Sequence, residues 1–253
     1  MQIKTILISI SLLISSIGWA QKPDIDIIKT KNGTLKIQPI LHSSLVLTYN
    51  NTTIYVDPYG GAKMYKGIKV PDIILITDIH GDHLDQKTLD SIDTSKAIFI
   101  LPAEAANKLT KKYGNEVVKL QNKQGVHRLG FFITAIPMYN LPEEPNSKHP
   151  KGRGNGYIIT VDDKQIYISG DTGDIQEMRT LQNIDVAFVC MNLPYTMTVE
   201  QAASAVLEFQ PKIVYPFHYR GQDGFSDVEA FKKLVNTKNK TIEVRLRKWY
   251  PNN

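Results

Sequence analysis

Between positions 78 and 83 the chain reads Asp78-Ile79-His80-Gly81-Asp82-His83, two carboxylates and two imidazoles in one short segment. Zn²⁺ and similar ions are held by imidazole nitrogen and carboxylate oxygen, and a tight turn at a strand end lets neighbouring side chains converge on one point. One such residue would be an ordinary polar turn, whereas four in this arrangement point to a metal site. Asp171 follows the apolar run Ile166-Tyr167-Ile168-Ser169-Gly170, and His218 comes soon after Lys212-Ile213-Val214-Tyr215. Both therefore sit at the carboxyl end of a strand, where α/β sheets present ligands. The bland alternatives are an N-cap role for Asp171 before a helix near Ile175, and a satisfied core histidine at 218.

The elements that must position these residues can be read from periodicity. Asp72-Ile73-Ile74-Leu75-Ile76-Thr77 is a continuous apolar strand of the kind buried on both faces, and it delivers the cluster directly. Upstream, short apolar runs from Leu35 to Asp57 alternate with turns and predict an antiparallel meander. Downstream come a short helix over Leu84–Ile92, a strand over Ala97–Leu101 and a helix over Pro102–Tyr113, opened by proline. The second half repeats this mixture. Strands are expected at Phe131–Ile136, Gly156–Val161, Gln165–Ser169, Asp185–Cys190, Lys212–Tyr215 and Thr241–Leu246, with helices at Ile175–Leu181, Val199–Phe209 and Asp227–Val235. Meanders joined to β-α units in both halves imply two mixed sheets face to face with helices outside, a four-layer α/β sandwich. The segment Tyr139–Asn155 is too polar and broken for an element and is expected to form part of the site rim.

Bulk properties narrow the setting. Lys4, a mostly apolar stretch from Ile6 to Ile14 and the exit Gly18-Trp19-Ala20 read as a secretory signal peptide over residues 1–20, leaving 21–253 as one domain that is secreted or periplasmic. The apolar run is short for a membrane span, and the single cysteine, Cys190, lies far from any lipobox position, so no stable membrane anchor is expected. One cysteine cannot form an intrachain disulfide, so the fold rests on packing and metal. The net charge of +5 comes from scattered lysines rather than a basic stripe, which argues for a solvated surface and against nucleic acid as partner.

Thr77-Asp78-Ile79-His80-Gly81-Asp82-His83 resembles the Thr-His-X-His-X-Asp-His signature of the metallo-β-lactamase superfamily. Asp57 in Ile54-Tyr55-Val56-Asp57-Pro58, then His149, Gly170-Asp171-Thr172 and Pro216-Phe217-His218-Tyr219, match its later features in order, from about Leu35 to the C-terminus. The likeness is greatest to metal-dependent hydrolases related to ascorbate-phosphate lactonases, which share the start near His42, the loop His149-Pro150-Lys151-Gly152 and the helix entry Thr196-Met197-Thr198. The resemblance implies the αββα metallo-β-lactamase fold. It also implies one metal held by Asp78, His80 and His149, a second held by Asp82, His83 and His218, and Asp171 bridging them. A water or hydroxide shared between the ions would then be the nucleophile, with the reaction centred on Asp82 and His83. Zn²⁺ is the expected cofactor, in one or two ions. Aspartate at 78 replaces the usual first histidine and, as a harder donor, shifts that position toward Mn²⁺ or Fe²⁺. If Asp78 turns away, Asp82, His83, Asp171 and His218 still form a single-metal set. His149 has an alternative role in touching substrate or only solvent, with Tyr139 and Asn140 as further wall residues. Asp57 reads as the carboxylate behind a metal-bound imidazole, or else as a strand-end turn. His42 and Ser43 could line the pocket or be structural, and His127 is expected at the surface.

These readings imply hydrolysis of an ester, lactone, amide or phosphoester in a small or medium-sized molecule. Two alternatives stand beside it: a nuclease of the same superfamily, and a non-catalytic metal- or ligand-binding protein. The sequence sets neither the substrate nor the oligomeric state.

Overall fold

Strict alternation of side chains decides how the first half folds. Leu45, Leu47, Ile54, Val56, Ile73 and Leu75 enter one apolar cluster, whereas their neighbours Val46, Tyr55 and Ile74 enter another. Successive side chains of a strand point to opposite faces, so a sheet that is apolar at every position must be covered on both. The computed structural model describes residues 25–109, 113–144 and 146–250. It shows that sheet as seven strands in sequence order: β1 (Asp26–Lys29), β2 (Thr34–Leu41), β3 (Ser44–Tyr49), β4 (Thr52–Val56), β5 (Ile73–Leu75), β6 (Ile98–Leu101) and β7 (Glu116–Lys119). Pairing is antiparallel from β1 to β4 and parallel from β4 to β7.

The second half follows the same plan. β8 (Gly125–Arg128), β9 (Phe131–Met138), β10 (Gly154–Val161) and β11 (Lys164–Ile168) form an antiparallel meander. β12 (Val186–Cys190) and β13 (Ile213–Phe217) then extend the sheet in parallel. A small hairpin of β14 (Arg220–Gly221) and β15 (Gly224–Phe225) stands apart, and β16 (Glu243–Val244) closes the second seven-stranded sheet beside β13. Ile37, Leu47 and Leu75 of the first sheet share a core with Ile133, Ile159 and Phe188 of the second.

Helices complete the outer layers. α1 (Gln86–Ser91) and α2 (Ala103–Lys108) contribute Leu89 and Ala105 to the cluster containing Ile74 and Phe99. α3 (Gln176–Arg179), α4 (Val199–Phe209) and α5 (Val228–Lys238) pack in series, with Phe209 edge-on to Tyr167 of β11 at 6.0 Å between ring centroids. Thr198 starts α4 through a reciprocal capping box with Gln201, which fixes the end of the preceding loop. Among the described residues no helix is long and apolar enough to cross a membrane.

Several boundaries differ from expectation. β5 stops at Leu75 because the Thr77 amide turns to the Asp57 carboxylate, at 2.8 Å, instead of to a neighbouring strand. The strand expected over Thr241–Leu246 keeps only Glu243–Val244, since Arg247 is drawn aside by a two-pronged pair with Asp26, at 2.6 and 2.8 Å. The helix expected to reach Tyr113 ends at Lys108, with residues 110–112 outside the described part. The leader expected over residues 1–20 also lies outside the described residues.

The hairpin β14–β15 docks tightly on the loop after β12. A Cβ at Gly221 would lie 1.8 Å from the Leu193 carbonyl oxygen, a backbone atom that cannot rotate away. Gly221→Ala is therefore expected to displace the 192–196 segment and lower stability by about 1–3 kcal/mol, read from urea denaturation. An unchanged midpoint would show that this loop yields at no cost.

Candidate metal centre

The parallel strands of both sheets end at one place. β4 ends before Asp57, β5 leads through Ile76 and Thr77 to the 78–83 turn, β11 leads to Asp171, and β13 ends before His218. Hydrogen bonds across the seam hold the two sets together. Asn155 donates its amide to the Thr77 carbonyl at 2.9 Å, the Tyr157 hydroxyl donates to the Ile76 carbonyl at 2.8 Å, and the His218 amide donates to the His42 carbonyl at 3.2 Å. All seven residues anticipated from the sequence meet here. Asp78, His83, His149, Asp171 and His218 are buried, while His80 and Asp82 keep about a third of their side chains exposed to an open cleft of about 270 Å³.

Two of the buried imidazoles, those of His83 and His149, are turned by a partner on the far side, whereas His218 Nδ1 is buried without one. His83 Nδ1 lies 2.8 Å from Asp57 Oδ2, and Asp57 is itself held by the amide and hydroxyl of Thr77 at 2.8 and 2.5 Å. His149 Nδ1 lies 3.2 Å from the Asn140 side-chain oxygen, which also accepts the His149 amide at 2.9 Å. Because these partners are acceptors, Nδ1 carries the proton in the neutral form of both rings, and it is Nε2 that then offers a lone pair. Both Nε2 atoms are buried, make no hydrogen bond, and lie 3.3 Å from the same oxygen, Asp171 Oδ2. The other oxygen, Oδ1, also lacks a hydrogen bond and faces His218 Nε2 at 3.4 Å, and that nitrogen is 3.3 Å from Asp82 Oδ2. Asp78, His80 and His149 form one group able to converge on a cation, and His83, Asp171 and His218 another. His83 Nε2, His149 Nε2 and Asp171 Oδ1 are buried without a hydrogen bond, as a metal site requires, while His80 Nδ1 bonds Asp78 Oδ2 at 2.6 Å; imidazole with carboxylate suits Zn²⁺ or similar divalent ions.

The electrostatics agree. Burial would raise the Asp171 pKa, yet His218 and His83 hold it well below the usual carboxylate range. Asp78 is brought down to about 2 against its own burial by His80, His83 and His149. Burial opposes charge on His218, but Asp171 and Asp82 lift it to about 9, and Asp171 and Asp57 similarly raise His83. Cys190 is buried with its thiol pushed up to about 12, so it is no nucleophile.

A sequence profile described as the Beta-lactamase superfamily domain matches residues 36–218, which covers every member of this cluster. The chain belongs to the beta-lactamase superfamily. A UPF0173 metal-dependent hydrolase of Pyrococcus horikoshii is 30% identical over 219 residues, covering 82% of this chain and 95% of the relative. A structure from Parabacteroides distasonis, provisionally assigned as a metal-dependent hydrolase, is 40% identical with a TM-score of 0.79, covering 89% of this chain and 99% of that one. The metallo hydrolase Igni18 of Ignicoccus hospitalis shares the fold at a TM-score of 0.70 and 24% identity, over 84% of this chain and 94% of its own. The protein is thus a metal-dependent hydrolase with the metallo-β-lactamase fold expected from its sequence.

Other expectations can be placed on this superfamily member. Asp57 stands behind His83 as anticipated, and Asp171 is not a helix cap, since α3 starts after Ile175 without a side-chain cap. His127 is exposed on β8, tilted against the Phe132 ring and away from the cluster. His42 is nearer the centre than its lone position implied, grouping with Asp82 and His218. Its Nε2 faces Arg220 Nη2 at 2.9 Å; arginine only donates, so Nε2 is an acceptor and Nδ1–H points to the Tyr250 hydroxyl at 3.1 Å. Burial, together with His218 and Arg220, keeps this ring neutral by lowering its pKa to about 3. Sequence reasoning passed over Arg153, Asn192 and Tyr195. The last two line the cleft, and their one signal was a polar break after the apolar strand β12.

Protons on His83 and His218 must leave before a cation can enter. Because both pKa values are raised in the metal-free hydrolase, uptake at neutral pH is expected to release protons and to tighten as pH climbs toward about 9. Calorimetric titration in buffers of differing ionisation enthalpy measures this. Heats independent of the buffer would contradict it.

Proposed function

We propose that this hydrolase cleaves an ester, lactone, amide or phosphoester in a small or medium-sized substrate, with two divalent cations shared through Asp171. The observation carrying the reading is that Asp171 Oδ2 lies 3.3 Å from an orphaned imidazole nitrogen on each side, one from each half of the cluster. Asp78, His80 and His149 would hold the first cation, and Asp82, His83 and His218 the second. Such cations lower the pKa of water toward neutrality and polarise a carbonyl or phosphoryl oxygen. Zinc is the proposed metal, with Mn²⁺ or Fe²⁺ favoured at the first position by the carboxylate of Asp78.

The chain's own groups supply the rest. Asp82 reaches the cleft and can take a proton from attacking water, while Asp57 keeps the His83 proton on Nδ1. Lys148, Asn192 and Tyr195 line the cleft and can donate to substrate oxygens. Asn140 fixes the rim by donating to the Tyr195 carbonyl at 2.8 Å while it orients His149. The apolar leader of residues 1–20 supports action outside the cytoplasm.

The test is metal content per chain in protein produced without a histidine tag under Zn²⁺, Mn²⁺ or Fe²⁺ supply, followed by an ester, lactone and phosphodiester screen. About two equivalents with turnover of one class support the proposal. One equivalent removes the bridged pair, and none under every supply removes the metal chemistry.

A further inference from the structure

Asp78 is the residue whose identity departs from the superfamily signature, and it has a partner that the reaction does not require. Its carboxylate is fully buried, and both oxygens are gripped by Arg153, Nε to Oδ1 and Nη2 to Oδ2, each at 3.1 Å. Arg153 Nη2 also donates to the Lys148 carbonyl, one residue before His149. Arg153 immediately precedes β10, whose Asn155 amide is tied to the Thr77 carbonyl, so the guanidinium starts from the backbone beside Asp78. One side chain thus joins the turn that carries Asp78 and His80 to the loop that carries His149.

Geometry limits what the gripped carboxylate can do. A planar fork takes up the facing lone pairs of both oxygens and leaves only outward ones for another partner. Oδ2 is the oxygen on the cluster side, 2.6 Å from His80 Nδ1 and 3.8 Å from His149 Nε2. We propose that Arg153 is a positioning residue for the first cation: its fork makes Asp78 a single-oxygen donor, and its bond to the Lys148 carbonyl sets the loop that presents His149. The inference rests on the two-cation reading. It also makes the two positions unequal, because the charge of Asp78 is cancelled by Arg153 whereas, among the described residues, Asp82 has no cationic side chain paired with it beyond the imidazoles. The position built on Asp82, His83 and His218 therefore fills first.

The probe is Co²⁺ alone, titrated into the stripped full chain and followed by visible absorption, with chelator competition for affinity and circular dichroism for fold. In Arg153→Ala the second equivalent to bind is expected to weaken about 10- to 100-fold while the first is unchanged, with Arg153→Lys intermediate because it restores charge but not the fork. A guanidinium acting only as a competing charge predicts the reverse, a tighter second equivalent in Arg153→Ala. That result, or unchanged binding of both equivalents alongside a lower melting temperature, overturns the proposal. If Arg153→Ala does not fold, unchanged Co²⁺ affinities in Arg153→Lys overturn it equally. Wild-type protein that binds no Co²⁺ sinks the two-cation reading itself, whereas wild-type binding of two with both unchanged in the variants sinks only the role of Arg153.

Discussion

Asp171→Ala is expected to lose both of the proposed cations together and to lower turnover by about a thousandfold or more. Among the described residues Asp171 is the one carboxylate within 3.4 Å of His83, His149 and His218 at once, so its removal takes the anion from both halves of the cluster. Cation chemistry worth several kcal/mol, at 1.36 kcal/mol per factor of ten, sets the size of the loss. The fold should survive, because Asp171 closes no strand pairing, and the far-UV spectrum should match the wild type. Asp82→Ala is the informative contrast. Asp82 touches His218 and, more distantly, His83, so this variant should shed one equivalent rather than two. Metal analysis of the two variants side by side decides the matter, and an Asp171→Ala protein that keeps two equivalents would end the bridging assignment.

The next largest effect is expected at Asp57, which never faces the cleft. Asp57→Ala strips the acceptor from the Thr77 amide, the Thr77 hydroxyl and His83 Nδ1 inside the protein, and each orphaned donor costs about 1–3 kcal/mol. A large fall in the urea midpoint should follow. Asp57→Asn separates stability from orientation. Its amide can still accept from Thr77 through oxygen, but its NH₂ would face His83 Nδ1 and favour the tautomer with the proton on Nε2, directed at Asp171. Affinity for Zn²⁺ should then drop about 10- to 100-fold while most stability remains. Equal Zn²⁺ affinity in Asp57→Asn and wild type would mean that the ring's orientation is fixed without Asp57, by packing and by the Thr77 hydroxyl 2.9 Å from the same nitrogen.

How far the sequence foretold this arrangement depended on where each signal lay. The 78–83 cluster was legible because its residues are neighbours in the chain, and β5 and β12 because strands buried on both faces leave uninterrupted apolar runs. The edge strands β7 and β8 were not, since they alternate only between half-buried and exposed positions and neither contains a fully buried residue. β1 was equally hidden, with Ile27 exposed and one buried position. Around the site, side chains that bind through long-range hydrogen bonds left no local trace. Arg153 lies between two glycines, and its link to Asp78 spans 75 positions, so only the three-dimensional pairing of β10 with the end of β5 reveals it. His42 was left between a pocket residue and a structural one for the same reason, as its partners Arg220 and Tyr250 come from the far end of the chain.

Three residues around the cluster adopt left-handed backbone without being glycine: His42 at φ 55°, Asp57 at φ 41° and His218 at φ 44°. Such conformations cost about 1–3 kcal/mol each and persist where the surroundings enforce them. Glycine at any of the three would relax the chain while deleting a side chain that the centre uses. The pull toward a more comfortable backbone and the pull toward chemistry are therefore opposed at these positions. In a lineage released from the need to hydrolyse anything, they are where drift toward glycine should first become visible, a mark of retirement that could be read without an assay.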